Sequence, residues 1–344
     1  MSDNASHPYD ALLIVSFGGP EGMADVIPFL ENVLRGKNVP RERMLEVAHH
    51  YERFGGVSPL NSHIRSLIAA LQTELNEHGP QLPIYWGNRN WHPLLADTMQ
   101  QMANAGVDRV LAFATSAYSS YSGCRQYLDD IARARATVGE AAPIVDKLRP
   151  FFNHPRFVAA SCDRLRAALD QLPAEKRDTV QITFTAHSIP ASMASRCAYE
   201  QQLIDVCRLV TTELKIAPER WQLVYQSRSG RPGDPWLEPD VLDHLTSLHA
   251  ESVRDVIVMP IGFLSDHMEV LYDLDVEARE LCQGLGLNMV RAQTVGNHPE
   301  IIRMLRELIV ERIDVQQPCA TVGSLPACPH VCPDDCCPAP QRPR

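Results

Sequence analysis

Short apolar runs rich in β-branched residues punctuate this chain at 11–17, 82–86, 109–114, 180–185, 221–226, 256–262 and 288–292. They are continuously apolar rather than alternating, which predicts strands covered on both faces. Between them, helical periodicity marks 23–34, 61–75, 93–105, 126–134, 157–172, 199–214, 239–248, 268–285 and 299–313. Strands alternating with helices predict an α/β fold built on parallel sheets. The pattern starts afresh near residue 180. We therefore expect two Rossmann-like, doubly wound lobes, residues 9–160 and 161–313, with a cleft between them and the last helix packing back on the first lobe. Residues 1–8 read as a flexible lead. Residues 314–344 are rich in Pro and Cys and poor in large apolar side chains, so order there needs a metal site or packing on the main body.

The most informative stretch follows the sixth run. It opens into Ser265-Asp266-His267, and acids then fall at Glu269, Asp273 and Glu277. On an α-helix this i, i+4, i+8 spacing lines one face, drifting about 40° per step. Stacked carboxylates repel by a few tenths of a kcal/mol per pair. Such a row persists if water solvates it or a cation runs along it. An exposed acidic helix is the commoner case, but this row begins at the carboxyl end of a buried strand, where open α/β sheets place their sites. His187, in Thr185-Ala-His-Ser-Ile-Pro190, also follows a strand and can take a proton near neutral pH or ligate a metal.

Other strand ends carry loops of recognisable chemistry. Ser16-Phe-Gly-Gly-Pro-Glu21 is glycine-rich but is not G-x-G-x-x-G, so it reads as a tight turn rather than a dinucleotide site. Phe54-Gly-Gly-Val-Ser-Pro-Leu60 is a second Gly-Gly turn opening a helix. Tyr and Ser residues crowd Thr115-Ser-Ala-Tyr-Ser-Ser-Tyr-Ser-Gly-Cys124 and could line a pocket. The long loop from Gln226 to Pro239 holds Trp236, and loops of that length are usually functional or disordered. No P-loop, H-E-x-x-H or Ser/His/Asp order is present, which argues against a kinase or hydrolase.

Bulk composition narrows the setting. The 344 residues carry 42 acids against 32 bases, a formal charge of -10, and no clustered basic face for nucleic acid. No apolar run approaches the roughly 20 residues of a membrane helix, and the polar N-terminus lacks the parts of a secretory signal. A cytoplasmic location is expected. Ten cysteines in a reducing compartment point to metal or cluster binding rather than disulfides.

The Ser16–Glu21, Phe54–Leu60, Thr185–Pro190, Gln226–Pro239 and Gly262-Phe-Leu-Ser-Asp-His-Met-Glu269 segments, in this order, resemble the ferrochelatases, which insert ferrous iron into a porphyrin in haem synthesis. The resemblance spans residues 9–313. It implies two Rossmann-like lobes around a porphyrin cleft, with His187 and Glu269 facing each other where Fe²⁺ enters and Asp273 and Glu277 continuing the cation path. It further implies porphyrin contacts from Phe17, Ser58, Tyr118, Tyr121, Arg125, Gln226 and Trp236. Phe17 departs from members with a metal-touching tyrosine at that place and is expected to pack on the macrocycle. Segments around Asn32–Gly36, Tyr121–Cys124 and Gln226–Gly230 look most like the actinobacterial branch. That branch uses coproporphyrin III rather than protoporphyrin IX, and Arg125 and Arg228 would then be candidates for its extra propionates.

Many members also hold a [2Fe–2S] cluster on one body cysteine and three tail cysteines. The resemblance implies Cys124 with Cys319, Cys328 and Cys332, with Cys336 or Cys337 able to replace one of them. The spacing alone also permits tetrahedral zinc. Cys162, Cys197, Cys207 and Cys282 fall in helical patterns as small core residues. Two other readings are a cobalt chelatase of the same architecture and a tetrapyrrole or metal carrier without turnover.

Overall fold

Among the described residues, eight strands form two parallel sheets. β1 (Ala11–Ser16), β2 (Ile84–Asn88), β3 (Arg109–Ala114) and β4 (Ile144–Lys147) pair in the order β2-β1-β3-β4. β5 (Gln181–His187), β6 (Trp221–Gln226), β7 (Asp255–Met259) and β8 (Asn288–Arg291) pair in the order β6-β5-β7-β8. The second order repeats the first. This computed structural model describes residues 8–36, 39–230, 233–314 and 316–339, so nearly all of the expected flexible lead at 1–8 lies outside the described residues. In each sheet the strand order reverses beside the first strand, and crevices open at the carboxyl ends of such reversal points. Phe17 leaves β1 there, and His187 ends β5 there, in register with Gln226 of β6.

One buried cluster runs through both sheets. It joins Leu12, Ile14, Leu111 and Phe113 to Ile182, Phe184, Ile257 and Met259. α3 (Leu60–His78) adds Ile64, Leu67 and Leu71, and the helices Pro155–Leu169 and Pro299–Ile313 add Leu165 and Leu305. The helix Pro299–Ile313 packs on both α3 and Pro155–Leu169, so the end of the core lies against elements from its beginning. The boundary expected at 160/161 falls inside Pro155–Leu169.

Two elements stand out among those that were not expected. β4 is four residues long, only partly buried, and half charged with Asp146 and Lys147, so it lacks the apolar run of its neighbours. α2 (Arg41–Glu52) buries only Met44, Ala48 and Tyr51, a stripe too narrow to stand out against its charges. Together with α1 (Met23–Leu34) it forms a separate apolar patch that takes in Met268 from the other lobe. A third difference concerns 268–285, expected as one α-helix. It is a short α turn (Met268–Val270), a π-helix (Leu271–Ala278) and an α-helix (Arg279–Leu285). Among the described residues no helix is long and apolar enough to cross a membrane.

Candidate active site

His187 is held from several sides. Its Nδ1–H donates to the Ser188 carbonyl, while Tyr199 donates to the His187 carbonyl at 3.0 Å. With Nδ1 protonated, Nε2 carries a bare lone pair, and it lies 3.7 Å from Oε2 of Glu269. Two acceptors converging at that distance leave room for a proton or a cation between them. Burial alone would lower the His187 pKa, but Glu269, its hydrogen bonds and Asp273 outweigh it and raise the pKa above its usual value. The imidazole is thus a better base than in water.

Glu269 has a second imidazole beside it. Nδ1 of His267 accepts from the Glu269 backbone N–H at 3.2 Å and lies 3.8 Å from its carboxylate. Burial and the like charge of His187 hold the His267 pKa low despite Glu269. Sequence reading assigned His267 no role, although its place directly ahead of the acids in Ser-Asp-His was a usable signal.

The acid row survives the change of helix type. Asp273 accepts from Ser227 Oγ and from Gln226 Nε2 at 3.2 Å, and Gln226 also reaches the Glu269 carbonyl at 3.4 Å. Burial pushes the Asp273 carboxyl up to about 7, with Glu269 and Glu277 adding to the rise against the Ser227 bond. Glu277 is raised as well, by burial and by Asp240 and Glu280. Asp273 therefore feels both of the other acids and keeps its proton up to about 7. Wider π turns recur at functional segments, and here the turn sends Asp273 to β6 and Asp275 to Arg291.

The opposite wall comes from the first lobe. Phe17 is 37% exposed, edge-on to Phe29, with the Arg89 guanidinium 5.8 Å from its ring. Behind it, Ser58 is buried, and a Cβ on Gly19 would come within 2.6 Å of the Ser58 Cβ, so this turn admits only glycine. The His50 ring of α2 stacks on Tyr272 at 3.5 Å, and Arg53 pairs with Glu280 at 2.8 Å.

Several residues expected as porphyrin contacts have partners within the protein. Tyr118 is buried and donates to the Ile261 carbonyl at 2.8 Å, joining the two lobes, which leaves it no face for a ligand. Tyr121 donates to Asp129 at 3.3 Å and packs on the core. Arg125 donates to the carbonyls of Pro333 and Asp334, so the tail occupies it. Gln226, 1% exposed, supports the acid row instead of offering a surface. Trp236 is half-buried and lies against Gly230, where a Cβ would meet its Nε1 at 2.0 Å. Arg228 donates to the Asp234 carbonyl at 2.7 Å. A hydroxyl or guanidinium in a loop shows what it can bind but not which way it turns, so these protein partners could not be read from the sequence.

The tail docks across the seam between lobes. Asn153 donates to the Leu325 carbonyl at 2.8 Å, and Cys328 Sγ lies 3.5 Å from Ser119 Oγ and 3.6 Å from Gln202 Nε2. Cys124, in a second π segment at Tyr121–Arg125, shares a hydrogen bond with Cys332, with Lys147 and Arg125 close by. That bond and the two cations lower the Cys124 pKa and leave the shared proton on Cys332, whose pKa rises. Cys336 neighbours Cys332 and lies 3.7 Å from Cys337. Cys319 instead meets His330 Nε2 at 3.5 Å. Among the described residues no three His, Cys, Asp or Glu side chains sit close enough together to hold a metal ion.

Two parallel lobes meeting at their carboxyl ends over a histidine, a glutamate and an acid row make this a chelatase fold. The likeness extends to the sirohydrochlorin chelatase SirB. SirB from Bacillus subtilis with Fe³⁺ superposes with a TM-score of 0.55 over 90% of this chain and 97% of that one, at 10% identity. The cobalt complex from subspecies spizizenii gives 0.53 over 89% and 95%, at 11% identity. At these identities the fold alone is shared. The ferrochelatase family model matches residues 9–313. A ferrochelatase of Rhodopirellula baltica is 54% identical, over 96% of this chain and 93% of that protein. The coproporphyrin III ferrochelatase of Streptomyces coelicolor is 50% identical, over 96% and 94%. The chain belongs to the ferrochelatase family, metal chelatases of the lyase class that insert iron into a porphyrin in haem synthesis.

Proposed function

We propose that the chain inserts Fe²⁺ into coproporphyrin III, with His187 as proton acceptor and Glu269 receiving the ion from Asp273 and Glu277. The approach of His187 Nε2 to the Glu269 carboxylate at 3.7 Å carries this reading. A planar porphyrin hides its four nitrogens and two N–H protons. Bending the ring turns the lone pairs outward, with strain offset by contacts elsewhere on the macrocycle. Two protons then leave, and Nε2 with its raised pKa is suited to take them one at a time, releasing the first before it accepts the second. Carboxylates with one or two imidazoles suit ferrous iron, and an open arrangement lets it be handed on. Phe17 has no ligand atom and would pack on the ring.

Preference for coproporphyrin is supported by the names of the relatives, including that of Mycolicibacterium smegmatis at 48% identity. Anaerobic insertion of Fe²⁺ into coproporphyrin III and protoporphyrin IX, followed in parallel by absorbance, tests it. Faster turnover of coproporphyrin III is expected. Preference for protoporphyrin IX would move the enzyme to the other pathway, and a metal preference for cobalt would favour the related chelatase. Porphyrin binding without turnover would leave only a carrier.

The tail thiols fit a [2Fe–2S] cluster by their chemistry. Cys124 is biased towards thiolate and Cys328, Cys332 and Cys336 or Cys337 gather near it, whereas Cys319 stands apart with His330. The proposed ligands are therefore Cys124, Cys328, Cys332 and one of the last pair, a cysteine set that supplies four thiolates. Ten unpaired cysteines accord with a reducing cytoplasm. Freshly purified protein should show ferredoxin-like visible absorption that Cys124→Ser removes; colourless protein with stoichiometric zinc would replace the cluster by a zinc site.

A further inference from the structure

Arg291 ends β8 on the side of the acid row away from His187, and its guanidinium is fully committed. Nη1 and Nη2 donate to the two carboxylate oxygens of Asp266 at 3.1 and 3.0 Å. Nε and Nη2 donate to the two oxygens of Asp275 at 3.1 and 3.0 Å. The side chains of Arg291, Asp266 and Asp275 are 11%, 17% and 23% exposed, so these bonds are shielded from water and salt. Asp266 directly precedes His267, and Asp275 follows Asp273 by two residues within the π-helix. One cation thus holds both ends of the segment that carries His267, Glu269 and Asp273. Beyond it lies a cavity of about 280 Å³, lined by Arg291 and Asp266 together with His63 and Arg164. A shorter or apolar side chain at 291 would therefore lose the ion pairs without crowding a packed interior.

We propose that Arg291 is a positioning residue for iron handling: by gripping Asp266 and Asp275 at once, it keeps Glu269 and Asp273 in line with His187. The proposal rests on the reading of His187 and Glu269 given above. The fork geometry fixes the segment, and only arginine supplies it.

Arg291→Met and Arg291→Lys, assayed beside Glu269→Gln, test the grip. Arg291→Met is expected to raise KM for Fe²⁺ about tenfold, the usual scale for losing a partner of a metal-site group, with a smaller change in kcat. Arg291→Lys, which keeps the charge but not the fork, should recover KM only in part. If Arg291→Met fails to fold, Asp275→Asn removes one arm of the grip and should give the same direction in KM. Loss of kcat alone, tracking thermal stability with KM for Fe²⁺ unmoved, would make Arg291 merely structural and overturn the proposal. Normal turnover in Glu269→Gln would instead overturn the reading of the site, whatever Arg291 does.

Discussion

His187→Ala is expected to lower iron insertion by about 10²- to 10⁴-fold, the range for removing a positioned proton acceptor, while porphyrin still binds. The geometry sets that split. Nδ1 is tied to the Ser188 carbonyl and Nε2 faces Glu269, so the ring's free chemistry is a lone pair aimed at the site. The apolar wall around Phe17 and Phe29 is untouched by the change. The wild-type pH profile should carry the same signature. His187, raised above its usual pKa, is a base only above that value, and Asp273 gains its charge as pH rises through about 7. Both act in one direction, so turnover falls on acidification through neutral pH, with apparent pKa values that belong to the coupled group. In His187→Ala the residual rate should keep only the share of that fall due to the acid row. Porphyrin absorbance titration and single-turnover insertion measure the two halves, and a variant with near-normal turnover would strip His187 of the role.

For stability the largest effect should come from Glu311→Gln, at about 3–5 kcal/mol, as expected when one partner of a buried ion pair is removed. Arg149 and Glu311 are 0% and 2% exposed and form two parallel bonds of 2.9 and 3.1 Å. The Ala320 N–H donates to the same carboxylate at 2.8 Å, and Arg149 reaches the Ala320 carbonyl at 3.0 Å. A single carboxylate thus ties the last core helix to the segment after β4 and to the tail. His154 cannot take over, because burial and two arginines push its pKa down to about 3 and keep it neutral. Urea unfolding would register the loss. The apolar double change Arg149→Met with Glu311→Leu should recover much of it, since no charge is then left stranded. A loss below about 1 kcal/mol, the scale of an exposed pair, would mean that water reaches Arg149.

What could be read in advance follows physical range. Every strand but β4 was legible because burial on both faces writes a continuous apolar run, and most of the long helices showed their period. His187, Glu269, Asp273 and Glu277 were legible because strand ends and helical spacing place them with no tertiary knowledge. The π turn was not, since Leu271–Ala278 carries a pattern that an α-helix would satisfy equally well. Arg291 left no signal either, its partners lying 16 and 25 residues away. Tyr118 and Arg125 show the converse. Their side chains could serve a porphyrin, but partners at Ile261 and Asp334, far along the chain, claim them. The place of Cys319 beside His330 was not legible, because thiol spacing in a proline-rich tail says little about where the chain doubles back.

The buried cluster that passes through both sheets leaves the molecule without a hinge at its waist. Swinging the lobes apart would expose Phe113, Phe184 and Met259 together, a penalty on the scale of unfolding. α1 and α2 are built differently. Their apolar patch is separate, and they touch the other lobe through Met268, one stacked ring pair and one exposed ion pair. With fewer contacts to break, that edge is expected to open before the waist does. A macrocycle is then expected to be admitted as a letter enters an envelope, by lifting one edge while the body stays closed.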